Sequence, residues 1–167
     1  CPSGTVTAKG KGSGFLAKPE ELERFFDQVF AALKLPVSVK TRLGYQSAEE
    51  FPRLLEIFNR YPIACLTVHA RTRPEKYLGP LHLDAFAEAL EHSKNPVCYN
   101  GDLQTVEGVQ AFEERFPQAE AVMIGRGAVA DPALFRKLRG GPAATRQELQ
   151  AFTQELYLSY QDFYGQV

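Results

Sequence analysis

Four short apolar runs constrain this chain most. They are PVSVKTRLG, IACLTVHART, NPVCYNGDL and AEAVMIGRGAV, and they begin near Pro36, Ile63, Pro96 and Glu120, 24 to 33 residues apart. None alternates apolar with polar along its whole length, as a half-buried strand would. Continuous runs of this length are strands buried on both faces. Helical patterns lie between them. PEELERFFDQVFAAL places Leu22, Phe25, Phe26, Val29, Phe30 and Leu33 on one face, with Pro19 in the first turn. SAEEFPRLLEIFNR opens with Ser47 and Glu50 at capping-box spacing, and Pro52 leaves its first turn loosely defined. LDAFAEALEHS, then TVEGVQAFEERF with Thr105 as cap, then DPALFRKL with Asp131 as cap and Pro132 at the first helical position, complete the alternation. The expected fold is α/β, with about four β/α units building a parallel sheet.

After RGGPAAT the pattern changes. TRQELQAFTQELYLSYQDFYGQV is one helix with Leu149, Phe152, Leu156, Tyr160 and Phe163 or Tyr164 at helical spacing, and Thr145 and Glu148 in a second capping box. Residues 1–139 thus read as one α/β unit, and 140–167 as a linker and the first helix of a separate helical region.

Composition narrows the class. The chain has 167 residues, 44% hydrophobic and 23% charged, with a net charge of −1. That is a globular composition without a global nucleic-acid footprint. No apolar run approaches a membrane span. The cysteines, Cys1, Cys65 and Cys98, are widely spaced, which argues against structural zinc or a disulfide framework and for a reducing, cytoplasmic setting. Cys65 and Cys98 lie within strand patterns and are expected to pack as small hydrophobes.

Chemistry recurs at one place in each unit. Lys40 with Arg42, His69 with Arg71, Asn100 with Asp102, and Arg126 all stand at the C-terminal end of a strand. In parallel α/β folds that edge binds ligands. In IGRGA, Gly125 and Gly127 allow close backbone approach, Arg126 supplies a bidentate cation, and a helix start follows; together these read as a phosphate grip.

As a set, CPSGTVTAKGKGSGFL, PVSVKTRLG, LTVHARTRPEKYLGP, PVCYNGDL and AVMIGRGA resemble the tRNA-dihydrouridine synthases, from Cys1 to about Phe135. That resemblance implies a flavin enzyme with a TIM barrel followed by a helical tRNA-binding domain. A full barrel has eight strands and about 250 residues. The chain therefore resembles the second half of a (β/α)8 barrel plus the start of the helical domain. It implies FMN as cofactor, NADPH as reductant, tRNA as partner, and no metal. Cys1 would be the catalytic proton donor. Lys40, His69, Asn100, Gly101 and Asp102 would line the flavin site, Gly125 and Arg126 would hold its phosphate, Arg71 and Arg73 would lie near phosphate or RNA, and Lys9 and Lys11 would face tRNA. A flipped-out uridine would receive hydride at C6 and a proton at C5. Cys1, acting as an acid, would not need the depressed pKa of a nucleophile.

Two other readings stay open on these residues. One is another FMN barrel, of the dihydroorotate or dihydropyrimidine dehydrogenase type. The other is a non-catalytic fragment. A half-barrel of this kind is expected to associate with a second copy or with its missing half. Val37, Val39, Leu66, Val68, Val97, Val122 and Ile124 come from strands meant to close on themselves, and the inward half of them is expected to leave an open apolar face.

Overall fold

The computed structural model describes residues 2–165. The four apolar runs form one parallel sheet in the order β1-β2-β3-β4: β1 is Val37–Arg42, β2 Ile63–His69, β3 Val97–Asn100 and β4 Ala121–Met123. Sequential order with parallel pairing requires a crossover between each pair of neighbours, and the helices supply it. Helix α1 (Gly4–Thr7) and a 3₁₀ turn precede α2 (Pro19–Ala32); α3 (Phe51–Phe58), α4 (Leu83–His92) and α5 (Val106–Arg115) link the strands. Beyond β4 come α6 (Arg126–Ala130), α7 (Leu134–Leu138) and α8 (Arg146–Tyr164).

The register assigns the two sheet faces. Val39 pairs with Leu66 and Leu66 with Val97, while Thr41, Val68, Tyr99 and Val122 lie side by side. This face packs under the helices, where Tyr99 stacks on Phe112 at 4.0 Å and meets Phe86 edge-on at 4.8 Å. The opposite face carries Lys40, Thr67 and Cys98 in one row and Arg42, His69, Asn100 and Met123 in the next. The expectation of an open apolar face is corrected here. Leu66, Val68 and Val97 are buried against helices, and the open face is largely polar. Strand alternation is the reason: Val37 and Val39 alternate with Ser38 and Lys40, and Leu66 and Val68 with Thr67 and His69, so the apolar residues share the helix-covered face and the polar ones the other.

Three of the four predicted side-chain caps are present, those of Ser47, Thr105 and Thr145. Ser47 accepts from the Glu49 amide while Glu50 returns a bond to the Ser47 amide at 3.1 Å. Thr105 accepts from the Gly108 amide, and Thr145 and Glu148 form the second box. Three details differ from the sequence pattern. On α2, Leu22 and Phe26 are buried, but Phe25 and Leu33 are half exposed; Phe26 turns inward against Phe58 and Tyr61, and Phe25 meets Phe15 edge-on. Strand β4 stops at Met123, and a short α6 forms in the stretch read as a glycine loop. The helix predicted over 131–138 begins only at Leu134 as α7: Ala133, not Asp131, is its N-cap and Pro132 lies before it, while Asp131 accepts from the Ala133 amide at 3.0 Å in the turn that separates the two helices. Helix α8 is exposed along its length, its apolar stripe included, and its start is tied to α7 by Arg136 donating to Glu148 at 2.7 Å. Among the described residues no helix is long and apolar enough to cross a membrane.

Candidate functional site

Consecutive parallel strands bring residues far apart in sequence to one edge. Lys40 on β1 donates through Nζ to Asn100 Oδ1 on β3 at 2.8 Å, passing over β2. Asn100 Nδ2 donates in turn to the Met123 carbonyl on β4 at 2.8 Å. One side-chain chain thus crosses the sheet at its C-terminal end. Lys40 is exposed on the open face, yet the protein packed around its ammonium lowers its pKa, and the nearby Arg42 adds to this.

His69 ends β2 beneath this chain and is 5% exposed. Its pKa is lowered to about 3, first by burial and then by the positive charges of Arg42, Lys40 and Arg71. The ring is therefore neutral at physiological pH and serves as a hydrogen-bonding, not a charged, wall.

Arg71 and Arg126 meet at one carboxylate. Arg71 donates from Nη1 and Nη2 to the two oxygens of Asp102 at 2.9 and 2.5 Å, and from Nε to the Gly79 carbonyl at 2.6 Å. Arg126 Nη2 donates to Asp102 Oδ1. The hydrogen bonds from Arg71 hold the Asp102 carboxyl below the usual carboxylate range.

The loop after β2 roofs the site. Arg42, buried, donates to the Thr72 and Lys76 carbonyls at 2.7 Å each. Glu75 accepts from the Thr72 amide and hydroxyl and from His82. This clasp presents Tyr77 over the rim, with Arg42 5.6 Å and Arg126 5.4 Å from its ring centre. Two cavities share His69, Tyr77 and Asn100 as a common wall. One, of about 660 Å³, runs along β1 between apolar side chains that include Phe15, Leu22 and Phe25. The other, of about 420 Å³, is lined by Asp102, Gly125, Arg126 and Gly127.

Lys40, His69, Asn100, Gly101, Asp102, Gly125 and Arg126 are therefore gathered on these walls, with Arg71 behind Asp102. Arg73 is turned away onto the Tyr45 ring, 4.1 Å from its centre. Lys9 and Lys11 are exposed on the loop after α1, next to Gly12 and Ser13 of the larger cavity. Cys1 lies outside the described residues. Cys98 is buried and Cys65 partly so; both are free thiols on the open-face side of the sheet. Among the described residues no three His, Cys, Asp or Glu side chains gather as a metal site. Sequence reasoning gave no role to Tyr77 or to the structural use of Arg42. The signal available was the fixed spacing from His69 to Tyr77 and Gly79 within the motif.

The sequence profile describing dihydrouridine synthase (Dus) matches residues 1–161, and the chain belongs to that family. It is 37% identical over 142 residues to tRNA-dihydrouridine(16) synthase of Ralstonia nicotianae, covering 84% of this chain and 43% of that protein. It is 30% identical over 167 residues to a probable tRNA-dihydrouridine synthase of Rhizobium leguminosarum bv. phaseoli, covering 99% and 52%. A probable tRNA-dihydrouridine synthase 1 of Synechocystis is 36% identical over 141 residues, covering 83% and 39%. The chain spans about half the length of the curated relatives it matches. Family membership sets aside the dihydroorotate and dihydropyrimidine dehydrogenase reading.

Proposed function

We propose that this chain supplies the FMN-holding half of a flavin-dependent tRNA-dihydrouridine synthase, its four β/α units forming the second half of a (β/α)8 barrel and residues 140–167 beginning the helical tRNA-binding region. The observation that carries this reading is the pair of adjoining cavities at the strand ends, one apolar-walled and one cationic. They fit the two ends of FMN. An apolar cavity suits a flat tricyclic ring. At Gly125 an added Cβ would meet nothing within 4 Å, so the backbone beside Arg126 is open to a phosphate group.

In this reading Arg126 holds the phosphate, Lys40 and Asn100 hydrogen-bond the polar edge of the ring or its ribityl chain, and neutral His69 closes the wall beneath. FMN held there and reduced by NADPH would supply a hydride for C6 of uracil. Cys1 would deliver the proton to C5, and Tyr77 on its loop would cover the site. Lys9 and Lys11 lie where a tRNA backbone approaches the larger cavity, and a local basic rim of this kind suffices for phosphate contact.

A polypeptide of the relatives' full length carrying this sequence should purify with bound flavin and restore dihydrouridine to tRNA that lacks it. A colourless protein that leaves such tRNA unmodified would sink the proposal. Arg126→Ala should weaken FMN about ten-fold or more and riboflavin, which lacks the phosphate, far less, since a charge-assisted contact is worth about 1.5–3 kcal/mol.

A further inference from the structure

We propose that Asp102 is a resident counter-anion: it holds Arg126 while no phosphate is bound and yields Arg126, but not Arg71, when a phosphate monoester enters. The inference rests on Arg126 being the anion-binding group of the site.

The two arginines are not held alike. Arg71 is buried, its side chain 4% exposed, and its guanidinium is engaged at Nε, Nη1 and Nη2 by the Gly79 carbonyl and both Asp102 oxygens. It has no open side toward the smaller cavity. Arg126 is 52% exposed, shares only Oδ1 with the pair, and rests against Tyr77. A guanidinium carries five N–H groups, so Arg126 keeps donors for the cavity that it helps to line. The carboxylate itself is fixed. Asp102 has φ 45°, a left-handed conformation rare outside glycine, and the bidentate bond to Arg71 sets its direction.

Charge then decides what the site selects. Two guanidiniums and one carboxylate leave one net positive charge at the cavity wall. A phosphate monoester near neutral pH carries about 1.5 to 2 negative charges. It competes with Asp102 for the same guanidinium and is repelled by the carboxylate that stays on Arg71. A free phosphate ion has only this contact to gain. A phosphate attached to a body seated in the adjoining apolar cavity has a second source of binding. Asp102 thus weakens every phosphate at this wall by a similar factor, and only one with a second source of binding keeps a useful affinity.

The test is a titration of a flavin-free polypeptide of the relatives' full length carrying this sequence with inorganic phosphate, followed by NMR of the arginine Nε–H groups and assigned with Arg126→Ala. The Arg126 signal should move and the Arg71 signal should stay. Movement of both, or of neither, overturns the proposal. Asp102→Asn keeps an oxygen for Arg71 and removes the charge. It should tighten inorganic phosphate by about three- to ten-fold, and the same exchange in Arg126→Ala should have a smaller effect, because only the competition for Arg126 is then absent. A folded Asp102→Asn protein with unchanged or weaker phosphate binding also overturns it. If Asp102→Asn does not fold, the wild-type titration decides alone. These readouts need neither flavin nor uridine, so failure of the enzyme assignment and failure of this inference are separate results.

Discussion

Lys40 and Asn100, sixty positions apart in sequence, are joined by a 2.8 Å hydrogen bond that spans an intervening strand. The bond places a cation and an amide side by side on the open sheet face, where neither is needed to close the core. Lys40→Met should therefore leave stability within about 0.5 kcal/mol, as substitutions outside the core do. FMN affinity should fall about ten-fold, the effect of losing one hydrogen bond to a charged donor. Thermal melting and flavin titration of the same sample check this; a large loss of stability would make Lys40 a structural residue.

His69 predicts an acid sensitivity. Its folded pKa is about 3 against an ordinary 6.5, so the folded chain binds fewer protons than the unfolded chain between those values. Stability is therefore intact above pH 6.5 and is lost as pH falls toward 3. The share due to His69 is about 1–2 kcal/mol between pH 6.5 and 5. Denaturant unfolding across that window should show the slope, and His69→Gln should flatten it. An unchanged slope in the variant would assign the effect elsewhere.

Gly125 and Gly127 are two residues apart and should behave oppositely. A Cβ at Gly127 would lie 2.5 Å from the Leu103 carbonyl oxygen and 2.8 Å from the Gln104 Cα, both backbone atoms. Gly127→Ala should cost about 1–3 kcal/mol, the usual result of overpacking. Gly125→Ala should be nearly silent in stability and weaken phosphate-bearing ligands more than riboflavin. The reverse ranking in thermal melts would contradict this local packing.

Cys1 is tested in the full-length polypeptide. Cys1→Ala should leave flavin reduction by NADPH nearly intact and slow uridine reduction by about 10²–10⁴-fold, the usual contribution of a positioned acid. Stopped-flow of the two half-reactions separates them. Parental turnover on tRNA would assign the proton to another group.

The isolated 167-residue chain should self-associate. Leu35 is 74% exposed, Phe25 and Leu33 are about half exposed, and β1 and β4 each have a free edge. Exposed apolar groups beside unpaired strand edges favour association. Sedimentation should give a mass above that of one chain; a monomer across micromolar concentrations would count against it.

What could be read in advance follows from the range of each interaction. Strand ends and caps are local, so Lys40, His69, Asn100, Thr105 and the Ser47–Glu50 box were visible as short patterns. The Arg71–Asp102 pair links positions 31 residues apart and has no pattern of its own. Arg71 therefore read as a phosphate or RNA contact, although its donors are engaged within the protein. Tyr77 was visible as a motif letter, but its place over the rim depends on Arg42 holding two loop carbonyls, a tertiary contact. The facing of Val97 and Val122 was lost because their runs carry no alternation, whereas Val37, Val39 and Val68 alternate with Ser38, Lys40, Thr67 and His69 and were legible.

The close seat of Gly127 against Leu103 and Gln104 also bears on how a ligand would be received. With no side chain between them, the loop after β3 and the start of α6 abut directly and act as one wall. A ligand entering there would have little backbone to order, so its binding would carry a smaller conformational-entropy penalty than binding to two separately mobile loops. Substitution at Gly127 should accordingly show itself in the entropy of phosphate binding, measured by calorimetry, even where the protein still folds.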